Sequence, residues 1–306
     1  MTSIEPPYSH WPIQGRPEIS WPGGKRLACY IGLNIEHYEI GRPATSRTAV
    51  TAALPVDPLN YGWRDYGVRV GFWRTLGLLD KFELPASVLL NADAALKYPE
   101  IVQAGVERDW AFLGHGRTNS RLWVGLDIET ERRELHRIAV DLTEATGRAP
   151  RGWLGPALTE TENTAALLAE LGFTYSLDWT ADDEPFPMNV PTGRFISVPY
   201  SIEINDIPVF VDQGLTPAQF TGMIVDHFEV MHEEAASRPG AVFCLALHPF
   251  LTGQPFRHKH LTEALKEISG FDDVWYTTTD EIASWYLDNY YDSAVTTLSA
   301  RGRNKS

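Results

Sequence analysis

The chain has 306 residues, 43% of them hydrophobic and 11% aromatic, and carries a formal net charge of −14. That length is enough for one α/β barrel that buries roughly three-quarters of its unfolded surface. The acidic balance argues against nucleic acid or an anionic membrane surface as partner, because phosphates repel it. No apolar run approaches the 18 residues of a membrane span. The start, MTSIEPPYSHWPIQGRPEISWPGG, lacks a basic stretch followed by an apolar one, so no signal peptide is expected and the default location is cytoplasmic. Cys29 and Cys244 each lie in an apolar, strand-like run and are expected as buried free thiols. The ten tryptophans suggest flat apolar pocket walls, although a large barrel burying aromatics explains them as well.

Residues 1–24 are rich in Pro, Gly and Trp without periodicity and predict an extended arm, with Trp11 and Trp21 against the body or a neighbouring subunit. The barrel is expected over 25–293. RLACYIGL (26–33) has strand length and is wholly apolar, and 41–65 predicts a long loop. Helical spacing follows over 65–82, then the strand PASVLLN (85–91). A helix interrupted by Pro99 covers 94–107, and DWAFLG (109–114) is a strand. The charged amphipathic run 128–147 predicts a helix with Gly147 at its C-terminal end and Pro150 beyond it. Strands RGWLG (151–155), FTYSLD (173–178) and FISVPY (195–200) alternate with a helix over 162–172 and a loop over 179–194. A helix from about 216 to 237, the strand AVFCLALH (241–248), a helix over 257–269, the strand DVWYTT (273–278) and a helix over 280–290 complete the pattern. The last residues, 294–306, predict a flexible polar tail. Seven or eight short strands alternating with helices predict a parallel sheet that closes as a barrel.

In such a barrel the chemistry sits at the C-terminal ends of the strands. Those ends here read 34-NIEHYE-39, 115-HGRTNS-120, 155-GPALTET-161, 178-DWTADDE-184, 200-YSIEIND-206 and His248-Pro249. Carboxylates, histidines and amides recur there, while the strand interiors are apolar. Glu36 is a candidate base or metal ligand, the alternative being a solvated loop carboxylate. His115 sits between two glycines, where a ligand can approach closely, the alternative being a packed core histidine. His248 must emerge at the rim ahead of Pro249 and suits acid or base work near neutral pH. Asp182 and Asp183 read as an exposed acidic loop, and His258 and His260 as a helix surface. There is no G-x-S-x-G elbow, P-loop, G-x-G-x-x-G or C-x-x-C, which argues against covalent serine or cysteine chemistry and nucleotide cofactors.

The segments 67–116, 149-APRGWLGPALTETENTAALLAELGFTYSLDW-179 and 243-FCLALHPFLTGQP-255 resemble, in order, motifs of the polysaccharide-deacetylase superfamily. The resemblance spans roughly 26–290. It implies a distorted (β/α)7 barrel and hydrolysis of a C–N amide bond. Metal-dependent members carry paired aspartates after the first strand and H-x-x-x-H after the third. Asn34 with Glu36, and His115 with Asn119, stand at those places here. The implied metal set is therefore Glu36, His115 and Asn119, for one divalent ion or for none. Asn119 would be a poor zinc ligand but tolerable for a harder ion.

N-x-E followed by a single histidine, with R-G-W-x-G-P and D-W-x-x-D-D, resembles the subgroup of allantoinase-type enzymes and cyclic imide hydrolases. That resemblance implies opening of a small cyclic amide, imide or ureide. Water attacks a ring carbonyl, Glu36 activates it directly or through a metal shared with His115, and His248 protonates the leaving nitrogen or stabilises the oxyanion. Without a metal, Glu36 would need a raised pKa and His115 would act as a donor. Asn34, Trp153, Trp179 and Asn205 would hold the flat ring. The alternatives are an N-acetyl sugar deacetylase and a non-catalytic ligand-binding barrel whose metal site has decayed. The arm and the subgroup together imply a homo-oligomer.

Overall fold

A computed structural model describes residues 5–42 and 44–303. Among the described residues nine strands form one curled sheet: β1 (Leu27–Ile35), β2 (Ala86–Leu90), β3 (Ala111–Gly114), β4 (Gly152–Trp153), β5 (Tyr175–Ser176), β6 (Phe186–Pro187), β7 (Ile196–Ser197), β8 (Val242–Leu247) and β9 (Val274–Tyr276). Their order is β6-β7-β5-β4-β3-β2-β1-β8, with β9 also paired to β1. All pairs are parallel except β6 with β7. The seven parallel strands from β7 round to β8 are the expected distorted barrel. Beyond β7 the chain returns to β8 through a bridge between Asn205 and Ala246 and through Val242 N–H to Asp183 O at 2.8 Å. The short strand β6 falls inside the expected loop 179–194, too brief to show periodicity.

The strands run apolar because both sheet faces are covered. On β1, Leu27, Cys29, Ile31, Leu33 and Ile35 face the helical layer, while Ala28 and Tyr30 face the barrel interior with Leu89, Leu113, Leu154, Tyr175, Val198 and Ala246. The helices are α1 (Pro58–Tyr66), α2 (Phe72–Lys81), α3 (Ala92–Lys97), α4 (Pro99–Val106), α5 (Ile128–Thr146), α6 (Thr164–Glu170), α7 (Pro217–Glu234), α8 (Pro249–Thr252), α9 (Pro255–Ile268), α10 (Thr279–Asn289) and α11 (Tyr291–Arg303). Gly147 ends α5 in the left-handed region, at φ 76°, as its type predicts.

Two expectations need correction. Helix α1 begins at Pro58, inside the stretch 41–65 read as loop, and runs to Tyr66. Asp57 caps it through Asn60 N–H, and Pro58 stands at its first position, a start signal that outweighs the surrounding loop composition. A helix covers Tyr291–Arg303, where a flexible tail is expected over 294–306, residues 304–306 lying outside the described ones, and Ala294 is buried against the interior core. The arm is largely irregular, as expected. Its Trp11, Ile19 and Trp21 join the interior core, and Trp21 Nε1 donates to Ala241 O at 3.2 Å. Arg16 fastens it further by an ion pair with Asp182 at 2.5 Å. Among the described residues no helix is long and apolar enough to cross a membrane.

Candidate active site

Four strand ends are brought level by the register. Ile35 pairs with Leu90, Asn91 N–H donates to Ile35 O at 3.2 Å, His115 N–H to Leu90 O at 3.2 Å, and Leu154 N–H to Gly114 O at 2.9 Å. On the other side Leu33 pairs with Leu247, which sets His248 beside Asn34. Side chains alternate along a strand, so Leu33 and Ile35 point outward and Asn34 and Glu36 share the inner side. The Glu36 side chain is 3% exposed, between His115 at 2% and His248 at 5%. Its Oε1 lies 3.4 Å from His115 Nε2 and 3.5 Å from His248 Nε2. Tyr38 donates its hydroxyl proton to Oε2.

The two histidines are held differently. His115 Nδ1 lies 2.6 Å from Leu154 O. A carbonyl only accepts, so Nδ1 carries a proton there. His248 Nδ1 lies 2.6 Å from Asp206 Oδ1, and the His248 backbone N–H donates to Asp206 Oδ2 at 2.8 Å. Asp206 is completely buried. Burial disfavours a charged ring, but Glu36 and Asp206 outweigh it and push the His248 pKa up to about 10. Glu36 is pushed well below the ordinary carboxylate range. Burial opposes this and the two histidines, His248 foremost, overcome it. The site thus holds a buried imidazolium between two carboxylates. A raised Glu36 pKa is the expectation for a metal-free site; the charged His248 ring beside the carboxylate holds it low instead.

Asn119 is also corrected. Asn91 Oδ1 accepts the His37 backbone N–H at 2.8 Å, so its Nδ2 must be what donates to His115 O and, at 2.9 Å, to Asn119 Oδ1. That turns Asn119 Nδ2 toward Glu36 Oε1, to which it donates. A metal ligand needs a lone pair, and this position presents an N–H. Among the described residues no group of three or more His, Cys, Asp or Glu is arranged to hold a metal ion. The residue set does not fit a three-ligand metal site built on Glu36, His115 and Asn119.

Of the four residues expected to hold a ring, two stand together near Glu36. Asn34 Nδ2 donates to Tyr200 Oη and to Leu247 O, both at 3.2 Å, and Asn205 Nδ2 to Tyr200 Oη at 3.4 Å. Trp153 does not join them. It is fully buried in the outer layer against Trp123 and Phe173, and its neighbour Leu154 faces the interior instead. Trp179 is half-buried beside Tyr8, donates to Glu160 Oε2 at 3.0 Å and packs with the outer cluster. Asp206, Tyr38, Asn91 and Tyr200 escaped assignment from sequence. Asp206 and Tyr200 belong to the rim run 200–206, whose signal was the strand-end position itself. His260 pairs with Glu263 on α9, as a helix-surface residue would.

A polysaccharide deacetylase family model matches residues 63–176. A Schizosaccharomyces pombe protein assigned as a polysaccharide deacetylase is 28% identical over 247 residues, covering 74% of this chain and 76% of that protein. The crystal structure of a Pseudomonas aeruginosa protein assigned as a polysaccharide deacetylase superposes with a TM-score of 0.82 at 28% identity, over 90% of this chain and 96% of that one. The crystal structure of Puue allantoinase superposes with a TM-score of 0.83 at 28% identity, over 90% and 95%.

Proposed function

We propose that this chain, which carries a polysaccharide deacetylase domain and is a C–N bond hydrolase of that family, opens a small cyclic amide, imide or ureide. The observation that carries this reading is the enclosure of Glu36 between His115 and His248, each of the three side chains 5% exposed or less. A site so enclosed suits a small flat ring better than a polymer strand. The likeness to an allantoinase over nearly the whole of both chains supports the same reading.

The residues divide the work by their hydrogen-bonding states. In this reading a water held against Glu36 and His115 gives its proton to His115 as its oxygen attacks a ring carbonyl. The His248 imidazolium, backed by Asp206, stabilises the tetrahedral oxyanion and gives its Nε2 proton to the departing nitrogen. The C–N bond breaks, leaving a carboxyl group and a free N–H group. Glu36 stays ionised and keeps His248 charged. Asn34 and Asn205, which both donate to Tyr200, would pair with ring N–H and C=O groups in this reading. The test is ring opening of hydantoin, succinimide and allantoin, compared with Glu36→Gln and His248→Asn. Turnover of at least one ring by the parent protein, lost in both variants, is expected. The same substrates untouched, with acetate released from chitooligosaccharides instead, would point to the sugar deacetylase.

A further inference from the structure

Arg64, on the last turn of α1, is only 6% exposed, yet no carboxylate of the described residues lies within 4 Å of it. Its Nη1 donates to Thr45 O at 2.7 Å, its guanidinium stacks over the Tyr38 ring at 4.6 Å, and its Nε has no hydrogen-bond partner among the described residues. Asp57, the acidic group beside it on the chain, is occupied by Asn60. Asp57 and Glu36 act on Arg64 only at longer range, and a buried cation with no direct ion pair and an unsatisfied N–H is costly to keep. Arg64 lines a narrow cleft with Glu36, Tyr38, Tyr61 and Tyr98.

The second donor in that cleft is fixed by the same reasoning that orients Asn119. Lys97 Nζ lies 2.6 Å from His37 Nε2 and must be the donor, so His37 Nδ1 carries the proton and donates to Tyr98 Oη at 3.2 Å. The Tyr98 proton is then free to point elsewhere. Burial pushes the Tyr98 pKa up to about 12, so the hydroxyl stays a donor. Asp65 also lines the cleft, 3.8 Å from exposed Arg69.

We infer that Arg64 and Tyr98 form a subsite for a carboxylate oxygen, borne by the substrate or released as the product acid beside Glu36. The inference rests on the C–N hydrolase reading, since amide hydrolysis generates a carboxylate from the attacked carbonyl. It stands as a binding claim even if cyclic rings prove not to be the substrates.

Thermal midpoints and titration calorimetry with succinate and with its neutral isostere succinamide test it, on the full chain and on Arg64→Gln and Arg64→Lys. Succinate should bind the parent protein and weaken by about tenfold or more in Arg64→Gln, as expected for loss of a charge-assisted pair. Arg64→Lys should retain part of the affinity, and succinamide should bind far more weakly throughout. No succinate binding, equal binding of succinamide, or undiminished binding by Arg64→Gln overturns the inference. If Arg64→Gln does not fold, the comparison of the two probes on the parent protein and on Arg64→Lys decides. Succinate binding without ring opening would sink the cyclic-amide reading and leave the subsite standing.

Discussion

Asn91 Nδ2 donates to Asn119 Oδ1 at 2.9 Å, and this one bond decides which end of the Asn119 amide meets Glu36. The direction is forced by Asn91 itself, which accepts from the His37 backbone and donates to the His115 carbonyl. The second amide completes a chain running from the β2 end to the buried carboxylate. Each link uses a group that has only one possible role.

Breaking that chain should destabilise the protein out of proportion to the atoms removed. Asn119→Leu leaves an Asn91 N–H unpaired and removes a donor from Glu36, and Asn91→Ala frees a buried N–H and a buried carbonyl. Each is expected to cost about 1–3 kcal/mol per orphaned group. The double variant should cost less than the sum, because the two act on one network. Denaturant unfolding of the four proteins measures the coupling, and strict additivity would contradict it.

The His248 imidazolium predicts the pH response. Its pKa is raised on folding, so the stabilisation it supplies is complete below the ordinary histidine value near 6.5 and is lost as pH rises toward about 10. Glu36 is shifted the other way, so its contribution is present above the ordinary glutamate value and lost only in strong acid. Activity that needs the protonated ring should therefore hold through neutral pH and fall on the alkaline side. Asp206→Asn should move that fall to lower pH by removing one of the two carboxylates. A pH profile of kcat/KM unchanged by Asp206→Asn would contradict the pairing.

Trp153 should behave as a packing residue. It fills the outer layer against Trp123 and Phe173, at ring-centroid separations of 5.2 and 6.1 Å. Trp153→Ala is expected to cost about 3–5 kcal/mol of stability. Trp153→Phe should cost less and leave KM unchanged, whereas a residue stacked on substrate would raise KM.

Gly71 should tolerate no side chain. A Cβ there would stand 2.0 Å from Pro249 O, one residue beyond His248. Gly71→Ala must push α8 and the His248 rim aside, with an expected loss of about 1–3 kcal/mol and of activity together. Calorimetric unfolding alongside ring-opening rate checks both.

That Glu36, His115 and His248 come together was legible in the sequence, because each ends or follows an apolar strand and a parallel barrel gathers strand ends on one rim. Trp153 was misplaced because β4 covers only Gly152–Trp153, and a one-residue change of register exchanges the two faces. Leu154 took the inner place. Asp206 was harder to see, since residues 201–206 form no regular strand and the run read only as one polar rim segment. The direction of the Asn119 amide depends on Asn91, 28 positions earlier, and no local pattern reports it. Helix α11 is hidden by a small, polar composition, in which only Tyr291, Ala294 and Leu298 supply the apolar docking contacts among the described residues.

The most direct test of the central claim is hydrolysis of hydantoin, succinimide and allantoin by purified protein, with chelator or with added divalent ions, against Glu36→Gln. Opening of at least one ring, lost in Glu36→Gln, is the predicted result. No ring opening under any condition, or full activity in Glu36→Gln, would contradict it.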